Sequence, residues 1–319
     1  MRILVTGNLG YIGPVLTAAL TSAGHEVHGY DSGLYVDFAS APFPTVAEQT
    51  MADLRDEPSL RRAIAPSDAI IQLAAMSNDP LGELDAALTR ATNFEATRRV
   101  VELAEDRPLV VYSSASVYGI AEGACAEDAT VRPLSLYSEL KVAIDRITAE
   151  RPNVLTLRNG TVHGPGPNMR GELLLNAMVA SAMTTGEVVL ATTPLTRRPI
   201  VDVRDLADLT VGLLSRSVTG LYNVASANVS VGEAAAAVAA LTGARIVERH
   251  DGADPRSYAM DTGKLSGVAG GWWRPRSLEA SVRDLVSHYR AIGLTAADVE
   301  SRRYHRLAQF RSRFARVEP

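Results

Sequence analysis

The first half of the chain alternates short apolar blocks with longer stretches in which apolar residues recur every three to four positions. Ile3–Thr6, Glu26–Tyr30, Ala69–Leu73, Leu109–Tyr112 and Val154–Leu157 have the length and content of buried strands, while Tyr11–Ala23 and a long stretch from about Leu84 to Glu105 have helical spacing. Strands separated by helices pair in parallel, because the crossover must lie on a face of the sheet. The pattern therefore predicts an α/β fold with a doubly wound parallel sheet. After the break at Pro165-Gly166-Pro167 the pattern is less regular. Helical spacing returns over Leu173–Met183, Glu187–Leu190 and Ile200–Val203 read as strands, and Gly232–Thr242 is an alanine-rich scaffold helix. Neither repeats nor flexible linkers are visible, so a smaller lobe is expected to interleave with the first.

Composition narrows the class. In 319 residues, 46% are hydrophobic and 21% charged, enough for a sizeable core and unlike a disordered chain. A net charge of −4 argues against a nucleic-acid surface, with an arginine-rich stretch near the end as the local exception. Cys125 is the sole cysteine, which rules out an intrachain disulfide and suits a reducing compartment. Met1-Arg2 leads straight into the first strand, leaving no cleavable signal, and no run approaches the ~18 apolar residues of a membrane span. The expectation is a cytoplasmic protein with no membrane partner. The six histidines show no metal-ligand spacing, so no metal site is expected.

Gly7-Asn8-Leu9-Gly10-Tyr11-Ile12-Gly13 stands where the first strand turns into the first helix. A pyrophosphate needs backbone N–H groups with no Cβ in the way, at a helix N-terminus whose dipole favours anions. Asp31 ends the second strand, where an acid accepts hydrogen bonds from a ribose 2′-hydroxyl and repels a 2′-phosphate. Ser32 and Gly33 follow it, with no arginine to hold such a phosphate, so NAD is the expected cofactor. Asp53, with Leu54 beside it, reads equally as an acceptor for an adenine amino group or as a helix N-cap. Tyr11, Ile12 and Ser32 complete the cofactor contacts expected in this region.

Tyr137 and Lys141 are four apart and share a helix face. An ammonium beside a phenol favours phenolate and draws the tyrosine toward the range of a general base. Tyr-x-x-x-Lys alone is commonly a solvated helix face. Its weight comes from the order along the chain: glycine loop, acid, serines at a strand end in Ser113-Ser114-Ala115-Ser116-Val117-Tyr118-Gly119, then Tyr137 and Lys141.

In that order the sequence resembles the extended short-chain dehydrogenase/reductase family, in particular its nucleotide-sugar epimerases and dehydratases, over about Met1 to Arg290. The matching segments are the Thr6–Gly13 loop, Leu73-Ala74-Ala75, the serine-bearing strand end, Tyr137 with Lys141, Arg197–Leu206, and Asp254–Asp261 followed by Lys264. The resemblance implies a Rossmann-type domain over 1–165 plus 201–226, and a substrate lobe with a helical tail over 166–200 plus 227–319. It implies Ser114, Tyr137 and Lys141 as the catalytic residues, with Tyr137 and Lys141 also touching the cofactor, and Leu73, Ala74, Ala75 and Asn93 as further cofactor contacts. The helix of Asn93 falls where the family places a dimer interface, so a homodimer is expected. A nucleotide-diphosphate sugar is the implied substrate, with Ser77, Ser116, Thr161, Asn176, Arg198, Asn228 and Arg256 at positions that border it. The ordinary readings of these last residues are surface arginines and capping asparagines. Gln72 departs from a histidine common before Leu-Ala-Ala. Thr161 and His163 replace an asparagine and a tyrosine, and His163 reads either as a substrate contact or as a loop histidine packed beside Pro165.

The family tunes its chemistry at the two positions after the serine. Hexose 4,6-dehydratases resemble one another in having Asp-Glu there, and 3,5-epimerases place a cysteine at the second; this chain has Ala115 and Ser116. Hydride chemistry alone remains. The expected reaction is an NAD-dependent epimerisation, at C4, through a keto sugar. The alternatives are a single reduction of a ketosugar by NAD(P)H and a dinucleotide-binding protein without turnover. From Thr295 onward, Tyr304, Leu307, Phe310 and Phe314 recur at helical spacing among arginines, which reads as an amphipathic helix docked on the body or as an arm crossing to a partner subunit.

Overall fold

The computed structural model describes residues 1–77, 79–249 and 256–314, so Asn78 and the Asp254-Pro255 part of the last matching segment lie outside the described residues. Seven strands form the central sheet: β1 (Arg2–Thr6), β2 (Glu26–Asp31), β3 (Glu48–Met51), β4 (Ala69–Gln72), β5 (Leu109–Ser114), β6 (Val154–Asn159) and β7 (Gly220–Val224). Their order is β3-β2-β1-β4-β5-β6-β7, with every neighbouring pair parallel. The direction of winding reverses between β1 and β4, which opens a crevice at the carboxyl ends of those strands.

The apolar runs are continuous because both faces of the sheet are covered. Ile3 and Val5 pack into one core and Leu4 into the other; Ile71 and Ile70 divide the same way on β4. Helix α1 (Ile12–Ser22) packs on one face beside the helix Val203–Ser215. Helix α2 (Leu136–Ala149) lies on the other, started by a capping box between Ser135 and Ser138. The small lobe grows from the ends of the central strands: Arg197–Asp202 pairs in parallel with Thr161–His163 and antiparallel with Ala227–Ser230, while Ile120–Cys125 pairs with Ser257–Met260.

The long helix departs from its prediction, and the tail takes the first of its two readings. The long helix from Leu84 is interrupted: Ala86–Arg90 runs into a π-helical turn, Ala91–Ala96, before Thr97–Ala104. That turn carries Asn93 inward, where its amide accepts from the Met76 N–H at 2.7 Å and donates to the Met76 carbonyl at 3.0 Å. The tail folds as helix α3 (Arg306–Phe314) and docks on its own chain, on the loop after β2 and the segment around Asn168. Among the described residues, no helix is long and apolar enough to cross a membrane.

Candidate active site

The glycine turn is built by packing that excludes side chains. Gly7 has φ +74°, and a Cβ there would stand 2.7 Å from the Ala74 nitrogen; one on Gly13 would meet the Gly7 carbonyl oxygen at 2.4 Å. The turn is therefore wedged between the start of α1 and the segment after β4. Gln72 fixes that segment: its Oε1 accepts from Thr6 Oγ1 at 2.5 Å and its Nε2 donates to the Ala74 carbonyl at 3.0 Å. The amide thus holds the backbone in place at the position where the family commonly has histidine. Tyr11 is buried and donates to the Gly164 carbonyl at 2.6 Å.

The turn opens into a cavity of about 730 Å³ that runs from Asp31 to Tyr137, a size within the ~300–1,000 Å³ of ligand sites. Gly7, Gly10, Tyr11, Ile12 and Gly13 line one end together with Asp31, Ser32, Asp53 and Leu54, and Leu73, Ala74 and Ala75 line its middle. The Asp31 carboxylate accepts from the Leu9 and Gly33 N–H groups at 3.0 and 2.8 Å, while burial pushes its pKa up. Asp53 also lines the cavity, but its carboxylate is gripped by the Arg55 guanidinium at 2.8 and 2.7 Å, which holds its pKa down. The arrangement fits a dinucleotide: a Cβ-free turn at a helix N-terminus, an acid at the end of β2, and a slot reaching Ser114, Tyr137 and Lys141.

At the other end, Ser114, Ser116, Tyr137 and Lys141 share the cavity wall. Ser114 ends β5, and its Oγ lies 2.9 Å from Ser116 Oγ and accepts from the Ser116 N–H at 3.1 Å. Lys141 is buried, donates to the Tyr112 carbonyl at 2.6 Å, and stands 5.7 Å from the centre of the Tyr137 ring. Burial lowers its pKa from 10.5 to about 8, opposed by the nearby carboxylate of Asp145. Asp145 accepts from Arg158 Nε at 2.8 Å in an ion pair that is buried on both sides.

Ser77, Thr161, Arg198 and Arg256 also line the cavity. Arg198 reaches across to the Arg256 carbonyl and lies 5.8 Å from the Tyr258 ring centre. Three expected contacts fall behind the wall. Asn93 secures Met76, as described. Asn176 is fully buried, accepting from the Gly164 N–H and donating to the Arg170 carbonyl and the Tyr11 hydroxyl. Asn228 joins two strands by exchanging hydrogen bonds with the Met260 backbone at 2.8 Å each way. His163 is no loop residue: it ends a strand, is buried, does not line the cavity, and is kept neutral by a pKa lowered to about 4 through burial.

Sequence reasoning missed one stretch of the wall. Arg170, Arg306 and Phe310 line the cavity beside Tyr35 and Asp31. No local spacing signals them, because Arg306 lies 275 positions beyond Asp31 and meets it only through the docking of α3.

With this geometry established, comparison with known proteins places the chain. The model of the NAD dependent epimerase/dehydratase family matches residues 3–225. The ADP-L-glycero-D-manno-heptose-6-epimerase of Alkalilimnicola ehrlichii is 28% identical over 244 residues, covering 69% of this chain and 74% of that protein. The solved structure of MoeE5 with UDP-glucuronic acid and NAD superimposes with a TM-score of 0.77 at 26% identity, over 91% of this chain and 99% of that one. The UDP-glucose 4-epimerase of Thermus thermophilus, solved with NAD, gives a TM-score of 0.76 at 26% identity, with the same coverage. The NDP-hexosamine 5,6-dehydratase TunA, at 22% identity and a TM-score of 0.80, shares the fold. This chain belongs to the NAD-dependent epimerase/dehydratase family, and its cofactor is NAD.

Proposed function

We propose that the chain is a nucleotide-sugar epimerase that inverts one sugar carbon, C4, by way of a keto sugar. The observation that carries this reading is the meeting of Ser114, Tyr137 and Lys141 on one cavity, next to Ala115 and Ser116 where the related hexose dehydratases hold an acid and a base. NAD held along the glycine turn and Asp31 would supply a hydride acceptor, and in its reduced form a hydride donor, for that carbon. Tyr137 removes the proton of the sugar hydroxyl and later returns it, and Ser114 holds the same oxygen in line. Lys141 stays protonated below about pH 8 and favours the phenolate of its neighbour. Arg198 and Arg256, which line the cavity, pair with the diphosphate of the sugar nucleotide in this reading. The sugar turns over in the pocket between the two steps, so both faces of the carbon meet the same cofactor.

Incubating a panel of nucleoside-diphosphate sugars with the enzyme in D2O, followed by proton NMR, tests the reaction. An epimer with no deuterium at the inverted carbon is expected, because the hydrogen never reaches solvent. A deoxygenated or unsaturated product, or deuterium next to a new carbonyl, contradicts epimerisation and favours dehydration.

A further inference from the structure

The tail brings an arginine to the cofactor end of the cavity. Arg306 is 4% exposed and lines the same cavity as Asp31, Ser32, Tyr35 and the glycine turn. Its Nη1 donates to Asn168 Oδ1 at 3.1 Å and Gln309 Oε1 at 2.6 Å, and its Nη2 donates to the Asn168 carbonyl at 3.0 Å. The guanidinium lies 4.2 Å from the Tyr35 ring centre. Every one of these partners is neutral. The two acids whose charges reach it make no ion pair with it: Glu172 pairs through one oxygen with Arg170 at 2.8 Å, and both Asp31 oxygens accept from backbone N–H groups. Among the described residues Arg306 forms no ion pair, and burial lowers its pKa to about 10.

A buried cation with no acid in direct contact is left partly uncompensated. Here it faces a cavity whose floor is a helix N-terminus and a glycine turn, both suited to phosphate. Asn168 ties it to that floor, since its Nδ2 donates to the carbonyls of Leu9 in the turn, at 2.9 Å, and of Tyr35, at 3.1 Å. The helix that carries Arg306 is itself anchored. Phe310 packs with Met76, Leu34 and Leu88 across the cavity rim, Arg313 pairs with Asp37, and the Tyr304 carbonyl accepts from the Gly171 N–H at 2.9 Å.

We propose that Arg306 is a cofactor-binding residue whose guanidinium pairs with the pyrophosphate of the dinucleotide, and that α3 forms the outer wall of the cofactor site. This rests on the family's use of NAD at this cavity. The directly paired counter-charge is a phosphate of the ligand, and the position beside Asp31, Leu9 and Tyr35 assigns it to the cofactor rather than to the sugar nucleotide.

The test uses the full-length chain stripped of cofactor, as wild type, R306M and R306K, titrated calorimetrically with NAD, ADP-ribose, adenosine, 2′-phospho-ADP-ribose and UDP. R306M is expected to bind NAD and ADP-ribose about tenfold more weakly or worse, while adenosine and UDP stay within about twofold. R306K is expected to recover most of the loss, because it restores the charge. Equal weakening of adenosine and ADP-ribose overturns the proposal, since it marks a packing role. Weakening confined to 2′-phospho-ADP-ribose, or to UDP, also overturns it and assigns the arginine to a different phosphate. Should R306M fail to fold, R306Q, which keeps a donor for Asn168, supplies the same comparison. Wild-type protein that binds no NAD at all would sink the cofactor reading itself, whereas normal NAD binding with unaffected variants sinks only the role of Arg306.

Discussion

In the proposed mechanism Lys141 assists Tyr137 only while it carries its proton, and two opposing influences set how long it does. Burial drives its pKa down to about 8, and Asp145, one turn further along α2, pushes it back up. The folded value lies below the ordinary 10.5, so between about pH 8 and 10.5 the unfolded chain holds a proton that the folded chain has lost. Through that window Lys141 makes stability rise with pH, while turnover falls as the ammonium is lost. Asp145→Asn removes the supporting charge. The alkaline limb of the kcat profile is expected to move down by about one pH unit. The variant also leaves Arg158 buried without its carboxylate, at a cost of about 3–5 kcal/mol in denaturant unfolding. An unmoved alkaline limb would exclude Asp145 from tuning the lysine. Tyr137 and Lys141 were legible in the sequence because a spacing of four on a helix is local information. Asp145 was not, since an acid on an amphipathic helix looks solvated until the strand bearing Arg158 is laid against it.

At the scale of the element, the turn from β1 into α1 carries the cofactor end of the site, and its glycines differ in what they tolerate. Gly7 combines φ +74° with an approach to the Ala74 nitrogen that leaves no room for a Cβ, whereas Gly24, at φ +81°, faces open space. Gly24→Ala therefore carries only backbone strain, about 1 kcal/mol, and keeps its cofactor. Gly7→Ala adds a clash with main chain and is expected to lower Tm further and to lose NAD in the same assay; equal effects of the two would show that the packing of the turn is irrelevant to binding. The central strands were legible because strands buried on both faces are unbroken apolar runs. β3, Glu48-Gln49-Thr50-Met51, was not, because an edge strand needs no such run, and its pairing with β2 is visible only in the sheet. The π-helical turn at Ala91–Ala96 was likewise hidden, since the apolar period continues through it.

For the whole molecule, the sheet, the small lobe and the tail each contribute a different wall to one cavity. The switch point between β1 and β4 places the glycine turn, β5 and α2 carry the proposed reacting groups, and Arg198 and Arg256 reach in from the small lobe. The fold could be read in advance because it depends on short-range pattern, and the proposed catalytic trio because its residues sit in segments that resemble the family. The closing wall could not, because Arg306 and Phe310 reach the cavity only after the chain has folded back on itself. A site walled beside Asp31 by α3 suits an enzyme that keeps its cofactor from one turnover to the next, as the proposed epimerisation requires and a single reduction does not. Denaturing the purified protein and identifying the released nucleotide tests this most directly. Close to one NAD+ or NADH per chain is the predicted result; a chain that releases nothing and takes up NADPH in preference to NADH would contradict it.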